Sequence, residues 1–294
     1  MRYPAAWLIA GLILTDACLF ARSGLRLAWK PALSIVAAAA LLSLLAWIYS
    51  GPRRAPRLAL TAELGAKLIL FSAAAETLNM LLDAWAPLPL WDSRLAALDA
   101  ALGFHWPVLA GWVMAHPPIR DLLSFAYLSL GPEFIALLLL LSLSGHAGPA
   151  RRLWRLFAAT GLLTVLIGTA MPAAGAFVWF HAPAAATTAY VQQYAALRAG
   201  TLRTVNLATA QGLVSFPSFH ACLALLCLRA AGCLPPVLRW PLRLLNILVI
   251  AASPTMGGHY LSDILGGLAL GGGALLAGRT SLAARPAPSR AIAE

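Results

Sequence analysis

Eight long apolar segments account for most of this chain and restrict what it can fold into. A helix that crosses the hydrocarbon core of a bilayer needs about 20 mostly apolar residues. The predicted spans are Pro4–Ala21, Ala32–Ser50, Leu58–Leu82, Asp121–Ser144, Trp154–Met171, Phe216–Leu234, Leu242–Ser253 and His259–Ala277. Of the 294 residues, 61% are hydrophobic and only 11% are charged, whereas a soluble domain carries about 25% charged residues. The sequence therefore predicts an all-α integral membrane protein with about eight spans.

The charged residues indicate how these spans are oriented. The formal net charge is +11, and the basic residues lie in short loops between spans, which disfavours nucleic acid as a partner. Short cytoplasmic loops collect Lys and Arg. With spans that alternate in direction, four clusters fall on one side, the predicted cytoplasm: Arg53, Arg54 and Arg57; Arg151, Arg152 and Arg155; Arg229, Arg239 and Arg243; Arg279, Arg285 and Arg290. The group Arg22, Arg26 and Lys30 disagrees, because it would face outward. The excess of arginine over lysine is typical of a GC-rich bacterium, and hence of a bacterial inner membrane.

Two segments are predicted to lie outside the membrane on the side opposite to these clusters. In 91–104, leucines recur at helical spacing opposite Asp92 and Asp99, which predicts a helix in the headgroup layer. This helix is either a structural support or a floor that guides a lipid headgroup into a site. The outer loop 172–215 is the longest polar stretch, and loops longer than about 15 residues are usually functional or disordered. We therefore expect the functional site on this side.

Two short motifs place a histidine where an apolar helix begins. They read "FPSFHA" at 216–221 and "GHYLSD" at 258–263. His259 and Asp263 are four residues apart and so share one helix face, where the carboxylate fixes the imidazole tautomer and leaves the other nitrogen free as a nucleophile or base. One span going in and one coming out separate the motifs, so His220 lies at the same membrane surface. Ionisable groups at such depth indicate function, although zinc is a competing use of two histidines and an aspartate.

Together, the two motifs resemble the second and third signatures of the type 2 phosphatidic acid phosphatase superfamily. They are most similar to its inositol phosphorylceramide synthase-like branch, and the resemblance covers roughly Trp91 to Gly273. It implies a six-helix core, a phospholipid or lipid-phosphate substrate, and phosphoryl transfer through a phosphohistidine without a metal or other cofactor. Carried onto this sequence, His259 attacks phosphorus and Asp263 orients it. His220 protonates the departing oxygen and then deprotonates the water or alcohol that takes the phosphoryl group.

One part of the superfamily pattern is missing. Its usual first signature, a Lys followed by Arg-Pro, is absent before the tail. Phosphoryl transfer still needs positive charge on the equatorial oxygens, and we expect Arg198 and Arg203 of the outer loop to supply it, with Lys67 as the next candidate. Ser218 and the first N–H groups of the helix that carries His220 are expected to hold phosphate oxygens.

These features divide the chain into three parts and leave three functions open. The parts are an N-terminal hairpin with a cytoplasmic loop (1–57), a catalytic membrane domain (58–278) and a disordered cytoplasmic tail (279–294). The leading interpretation is a lipid phosphatase or headgroup transferase whose site faces away from the cytoplasm. A proton-coupled transporter is the first alternative, because charged residues lie within the predicted spans: Glu63, Lys67, Glu76 and Glu133. A catalytically degenerate lipid-phosphate-binding protein is the second. The sequence leaves the oligomeric state open.

Overall fold

Helices make up nearly all of the regular structure. The computed structural model describes residues 4–85, 88–186, 188–209, 212 and 214–283. The helices are α1 (Pro4–Ser23), α2 (Trp29–Ser50), α3 (Pro56–Trp85), α4 (Asp92–Ala101), α5 (Trp106–Ala115), α6 (Pro117–Leu143), α7 (Ala147–Ala170), α8 (Ala176–Trp179), α9 (Ala189–Arg198), α10 (Phe219–Ala230), α11 (Pro236–Met256) and α12 (Leu261–Ala283). Short 3₁₀ helices cover Pro183–Ala186 and Ala231–Cys233, and the strands are β1 (Arg26–Leu27) and β2 (Thr204–Val205).

Seven of the helices in the described part of the chain are long and apolar enough to cross a membrane. They are α1, α2, α3, α6, α7, α11 and α12. The prediction of an all-α integral membrane protein is confirmed. Helix α12 continues to Ala283, past the predicted start of the tail at residue 279, and the rest of that tail lies outside the described residues.

The sixth predicted span, 216–234, is shorter than predicted. Helix α10 has 12 residues and continues into a 3₁₀ helix of three. A helix of this combined length reaches about 22 Å at 1.5 Å per residue, less than the roughly 30 Å of the hydrocarbon core. It is packed by α6, α7, α11 and α12, and several of its side chains are buried: Ala221, Cys222, Leu223, Ala224, Leu226 and Cys227. Helix α10 is therefore a central helix whose polar first turn lies inside the bundle.

The seventh predicted span is longer than the predicted 242–253. Helix α11 begins at Pro236, where a proline is compatible with the first helical position because that N–H has no partner within the helix. Pro241 lies inside the helix one turn later. The predicted span began after Pro241 and so missed the residues from Pro236 to Pro241.

Close glycine contacts join α12 to α10. A Cβ on Gly267 would lie 2.1 Å from the carbonyl oxygen of Ser218, and one on Gly271 would lie 3.2 Å from that of Cys222. Gly267 and Gly271 form a GxxxG pattern, and such glycines let membrane helices pack closely. The contact brings the first turn of α12 beside the first turn of α10, and these turns carry the two histidine motifs.

A two-residue parallel ladder connects the N-terminal hairpin to the outer loop. Arg26 pairs with Thr204 and Leu27 with Val205. The connection between α1 and α2 therefore lies at the same end of the molecule as loop 172–215. Arg26 and its basic neighbours therefore lie at the same end as this loop, in disagreement with the predicted distribution of positive charge.

Candidate active site

The imidazole of His259 is held by an aspartate one helical turn away. Its Nδ1 lies 3.3 Å from Oδ2 of Asp263, and both side chains are buried. The same oxygen accepts hydrogen bonds from the Ser215 hydroxyl at 2.8 Å and from the Tyr260 N–H at 3.0 Å. Because these donors fix the carboxylate, a proton on Nδ1 of His259 points to it and leaves Nε2 with a free lone pair.

His220 lies opposite, on the first turn of α10. The ring centroids of His220 and His259 are 6.5 Å apart. Tyr127 of α6 stacks on His220 with centroids 4.2 Å apart and planes 13° apart, and its hydroxyl oxygen lies 3.3 Å from Nδ1 of His220. Tyr127 therefore restricts the imidazole from one side, an interaction that the motifs did not indicate.

A glycine pair lets the chain pass between these rings. A Cβ on Gly257 would lie 2.6 Å from the Tyr127 hydroxyl oxygen and 2.8 Å from Cδ2 of His259. Gly258 has φ +65°, and a Cβ there would lie 2.5 Å from the ring of Phe177. These positions need glycine because any larger residue would displace the aromatic rings or His259.

Two aspartates of α4 hold the segment that carries His259. Asp99 accepts hydrogen bonds from the N–H groups of Leu261 and Ser262 at 2.7 and 2.9 Å, at the N-terminus of α12. Burial raises the pKa of Asp99, and these two N–H donors oppose the shift. A carboxylate at this position stabilises the helix N-terminus. The first turn of α12, with Asp263, is thereby fixed by a helix from another part of the chain.

The second aspartate ties the outer loop to the same segment. Asp92 accepts from the N–H groups of Ala174 and Gly175 and from the Tyr260 hydroxyl, each at 2.9 Å. Both aspartates of α4 are buried, whereas Leu98 is 50% exposed. Helix α4 thus turns Leu98 outward but buries Leu95 on the same face as the two aspartates, so the prediction that the leucines lie opposite Asp92 and Asp99 is wrong for Leu95. Asp92 and Asp99 are seven residues apart, which is the only signal in the sequence that they share a face.

A cavity of about 570 Å³ opens beside the two histidines. Both imidazoles line it, together with Tyr127 of α6 and Tyr190 of α9. The Tyr190 hydroxyl donates to the carbonyl oxygen of Gly257 at 3.0 Å, and burial raises the pKa of Tyr190, so it stays a donor. Among the described residues that line the cavity there is one carboxylate, Glu76, and neither Lys nor Arg. In that part of the chain, no three His, Cys, Asp or Glu side chains are grouped as a metal would require.

The comparisons with known proteins agree with this geometry. A family model described as PAP2 superfamily matches residues 93–277, well over half of the chain, and includes both histidine motifs. The chain belongs to the PAP2 superfamily. The superfamily generally comprises phosphatases, which supports an enzyme that carries out phosphatase-type phosphoryl transfer on phosphate substrates. No curated protein and no solved structure matches the chain.

The structure brings together at the cavity three of the six predicted site residues. His220, His259 and Asp263 converge as described above. Ser218 is buried next to them, but its hydroxyl accepts from the Ala221 N–H at 3.4 Å and so caps α10, and it does not line the cavity. Its contact with phosphate oxygens stays a prediction.

The two predicted phosphate-binding arginines lie away from the cavity. Arg198 donates to the carbonyl oxygen of Leu88 at 2.8 Å and lies over the ring of Tyr194. Arg203 is exposed, and its backbone carbonyl accepts from the Arg26 N–H. Neither side chain lines the cavity, so their role in phosphate binding also stays a prediction. Lys67 pairs with Glu63 and does not line the cavity either.

One wall of the cavity comes from outside the range matched by the PAP2 model. Helix α3 contributes five lining residues, namely Phe71, Ser72, Ala75, Glu76 and Asn79, and all of them precede residue 93, where the match begins. The sequence resemblance did not include this helix. No motif marks these residues, since only the tertiary packing of α3 against α6 and α7 places them beside the histidines.

Proposed function

We propose that this protein is a membrane enzyme that transfers the phosphoryl group, or a phospho-headgroup, of a lipid phosphate through a phosphohistidine on His259. The observation that carries the proposal is the pair of histidines facing each other across a cavity, with Asp263 on Nδ1 of His259. Reacting atoms in a near-attack geometry are about 3–3.5 Å apart. The ring centroids are 6.5 Å apart, so one phosphate group can contact both imidazoles.

In the first half-reaction, Nε2 of His259 attacks phosphorus in line with the leaving oxygen. The N–P bond forms as the P–O bond breaks, and the Nδ1–H remains directed to Asp263, which offsets the positive charge on the ring. Protonated His220 gives its proton to the departing oxygen, so an alcohol or a diacylglycerol leaves neutral.

In the second half-reaction, His220 acts as a base instead of an acid. Neutral His220 takes the proton of a water molecule or an alcohol, whose oxygen attacks the phosphohistidine phosphorus. The N–P bond breaks, His259 returns to its neutral form and His220 is again protonated. Water gives a phosphatase, and a lipid alcohol gives the headgroup transferase that the inositol phosphorylceramide synthase-like motifs favour.

The opening of the cavity supports a lipid substrate. Leu128 and Gly131 of α6 line the cavity and also lie on the outer surface of the helix bundle, where Leu128 is 71% exposed. This surface is apolar, as a membrane-facing surface is. A lipid can therefore keep its acyl chains in the bilayer while its phosphate reaches the histidines.

The charged residues that favoured a transporter have local partners, with one exception. Glu63 pairs with Lys67, and Glu133 accepts a hydrogen bond from Asn246. These contacts are local pairings between or along helices. Only Glu76 lines the cavity, so we favour the enzyme.

The substrate and the need for a metal can be tested together. Purified protein is incubated with a panel of phospholipids labelled at phosphorus, with and without EDTA. We expect turnover of at least one lipid at the same rate in both conditions, because the proposed chemistry uses only side chains. Released phosphate, a released headgroup and a transferred headgroup identify the reaction. Loss of turnover in EDTA that zinc or magnesium restores would contradict the mechanism.

The proposed orientation places the site outside the cytoplasm, in a bacterial inner membrane. In a cysteine-free background, a membrane-impermeant thiol reagent should label Thr201→Cys in intact cells, because Thr201 is exposed in the outer loop and the Arg clusters lie at the other end. The matched control is Ser144→Cys. Ser144 is exposed at the C-terminal end of α6, on the predicted cytoplasmic side, so the cysteine should react only after permeabilisation. The reverse pattern would invert the topology.

A further inference from the structure

The α3 wall presents two polar side chains to the cavity. Glu76 and Asn79 are three residues apart, on one face of the helix, and both line the cavity that His220 and His259 also line. The two residues lie outside the range of the PAP2 match, and the proposed phosphohistidine mechanism uses neither of them. They need an explanation of their own.

Both side chains hold an acceptor oxygen without a partner. Oε1 of Glu76 and Oδ1 of Asn79 are buried, and neither has a hydrogen-bond donor among the described residues. Asn79 is only 2% exposed. Buried polar atoms in folded proteins are nearly always hydrogen-bonded, and an acceptor left unpaired costs free energy. Two such atoms one turn apart at a cavity wall are suited to a ligand that brings donors.

The charge of an ionised Glu76 disfavours phosphate as that ligand. Carboxylate and amide oxygens accept hydrogen bonds, and so do phosphate oxygens. A phosphate at the histidines and an ionised Glu76 would repel each other, and the described lining contains no Lys or Arg to separate them. A donor group on the substrate itself removes this conflict, because it lies between the two acceptors and the phosphate.

We infer that Glu76 and Asn79 form a subsite for a hydrogen-bond-donating headgroup, in which an ammonium or hydroxyl group of the phosphate ester binds the two oxygens. The inference rests on the proposed function and adds the chemical class of the headgroup. An ammonium group supplies a hydrogen for each of the two oxygens and the positive charge that the described lining of the cavity lacks. A hydroxyl group supplies one hydrogen and no charge.

The test uses p-nitrophenyl phosphodiesters that differ only in the second substituent: propyl, hydroxypropyl or aminopropyl. The monoester p-nitrophenyl phosphate has no second substituent, so it measures phosphoryl transfer without the subsite. We expect kcat/KM for the hydroxypropyl or the aminopropyl ester to exceed that for the propyl ester by about tenfold or more, as for a hydrogen bond to a charged group. A preference for the aminopropyl ester identifies an ammonium headgroup, and one for the hydroxypropyl ester identifies a hydroxylated headgroup.

The variants assign the preference to the two side chains. Glu76→Gln keeps the shape and one acceptor oxygen but removes the charge. It should therefore abolish a preference for the aminopropyl ester, whereas a preference for the hydroxypropyl ester should only be reduced. Asn79→Leu should weaken either preference. Asn79→Asp keeps the acceptor and adds charge, so it should retain the preference for an ammonium group. Glu63→Gln is the matched control on the same helix, outside this cavity, and should behave as the wild type.

The outcomes separate the subsite from the proposed function. Equal kcat/KM for the three diesters with measurable turnover overturns the subsite alone, and so does a preference that Glu76→Gln and Asn79→Leu leave unchanged. If the wild type turns over neither the monoester nor any diester or labelled phospholipid, the proposed function fails and the subsite fails with it.

Discussion

His259→Ala should abolish turnover of every phosphate ester, whereas His220→Ala should retain measurable attack on an ester with a good leaving group. Without His259 no N–P bond can form, and no other imidazole among the described residues lines the cavity except His220. The His220 variant keeps the nucleophile and Asp263 and loses only the proton donor. General acid catalysis contributes about 10²–10⁴-fold for a poor leaving group and much less for p-nitrophenolate, which leaves without a proton.

The measurement compares kcat for p-nitrophenyl phosphate and for an alkyl phosphate in both variants. His116→Ala serves as the control, since His116 is exposed between α5 and α6 and its loss should change neither rate. Acid-labile phosphate trapped on the wild type should map to His259. Phosphate on His220 would exchange the two roles, and a His259→Ala variant that turns over without any trapped phosphate would end the covalent mechanism.

The parts of the site that follow from the sequence are those with local spacing. The four-residue interval of His259 and Asp263 fixes their shared face whatever surrounds them. The convergence of His220 with this pair follows from two consecutive helices that return to one end. In the structure, Gly267 and Gly271 of α12 pack against α10 and bring the two motifs together. Their spacing is also recognisable in the sequence as a GxxxG pattern.

The remaining parts depend on contacts between distant segments. The approach of α3 to the histidines is not visible in the sequence, because apolar residues surround Glu76 and Asn79 and no periodicity distinguishes the cavity side from the lipid side. The arginines of the outer loop have a clear signal in the sequence but do not line the cavity. Their charge suggested phosphate binding, but Arg198 is engaged by Leu88 and Tyr194, and the sequence does not reveal such partners.

Helix length is predictable only where no proline or enclosure intervenes. Apolar composition located the long helices, with ends that differ from the observed ones by up to seven residues. It overestimated α10, which packs among four helices and so does not have to match the thickness of the bilayer. It underestimated α11, because the position of a proline within a helix decides whether the helix tolerates it.

Asp99→Ala should lower kcat by about two- to thirtyfold, the rate equivalent of the roughly 0.5–2 kcal/mol that an N-terminal cap contributes, because here the cap also positions the turn that carries His259. The variant leaves the N–H groups of Leu261 and Ser262 without their acceptors, so the first turn of α12 can fray. His259 and Asp263 then lose their fixed geometry, although neither is altered. KM should change little, because Asp99 does not line the cavity.

Asp99→Asn separates this positioning role from a general loss of stability. It keeps one acceptor oxygen and should restore part of kcat, and the rate at which phosphate is trapped on His259 should follow kcat across wild type, Asn and Ala. Asp121→Ala, at an exposed aspartate paired with Arg120 on α6, is the control and should leave the trapping rate unchanged. A lower melting temperature for Asp99→Ala with an unchanged trapping rate would show that α4 only stabilises the fold. A lower trapping rate in a folded Asp99→Ala variant, partly restored in Asp99→Asn, would show that α4 holds His259 in place. The Asp99 carboxylate contacts the first turn of α12 through the N–H groups of Leu261 and Ser262.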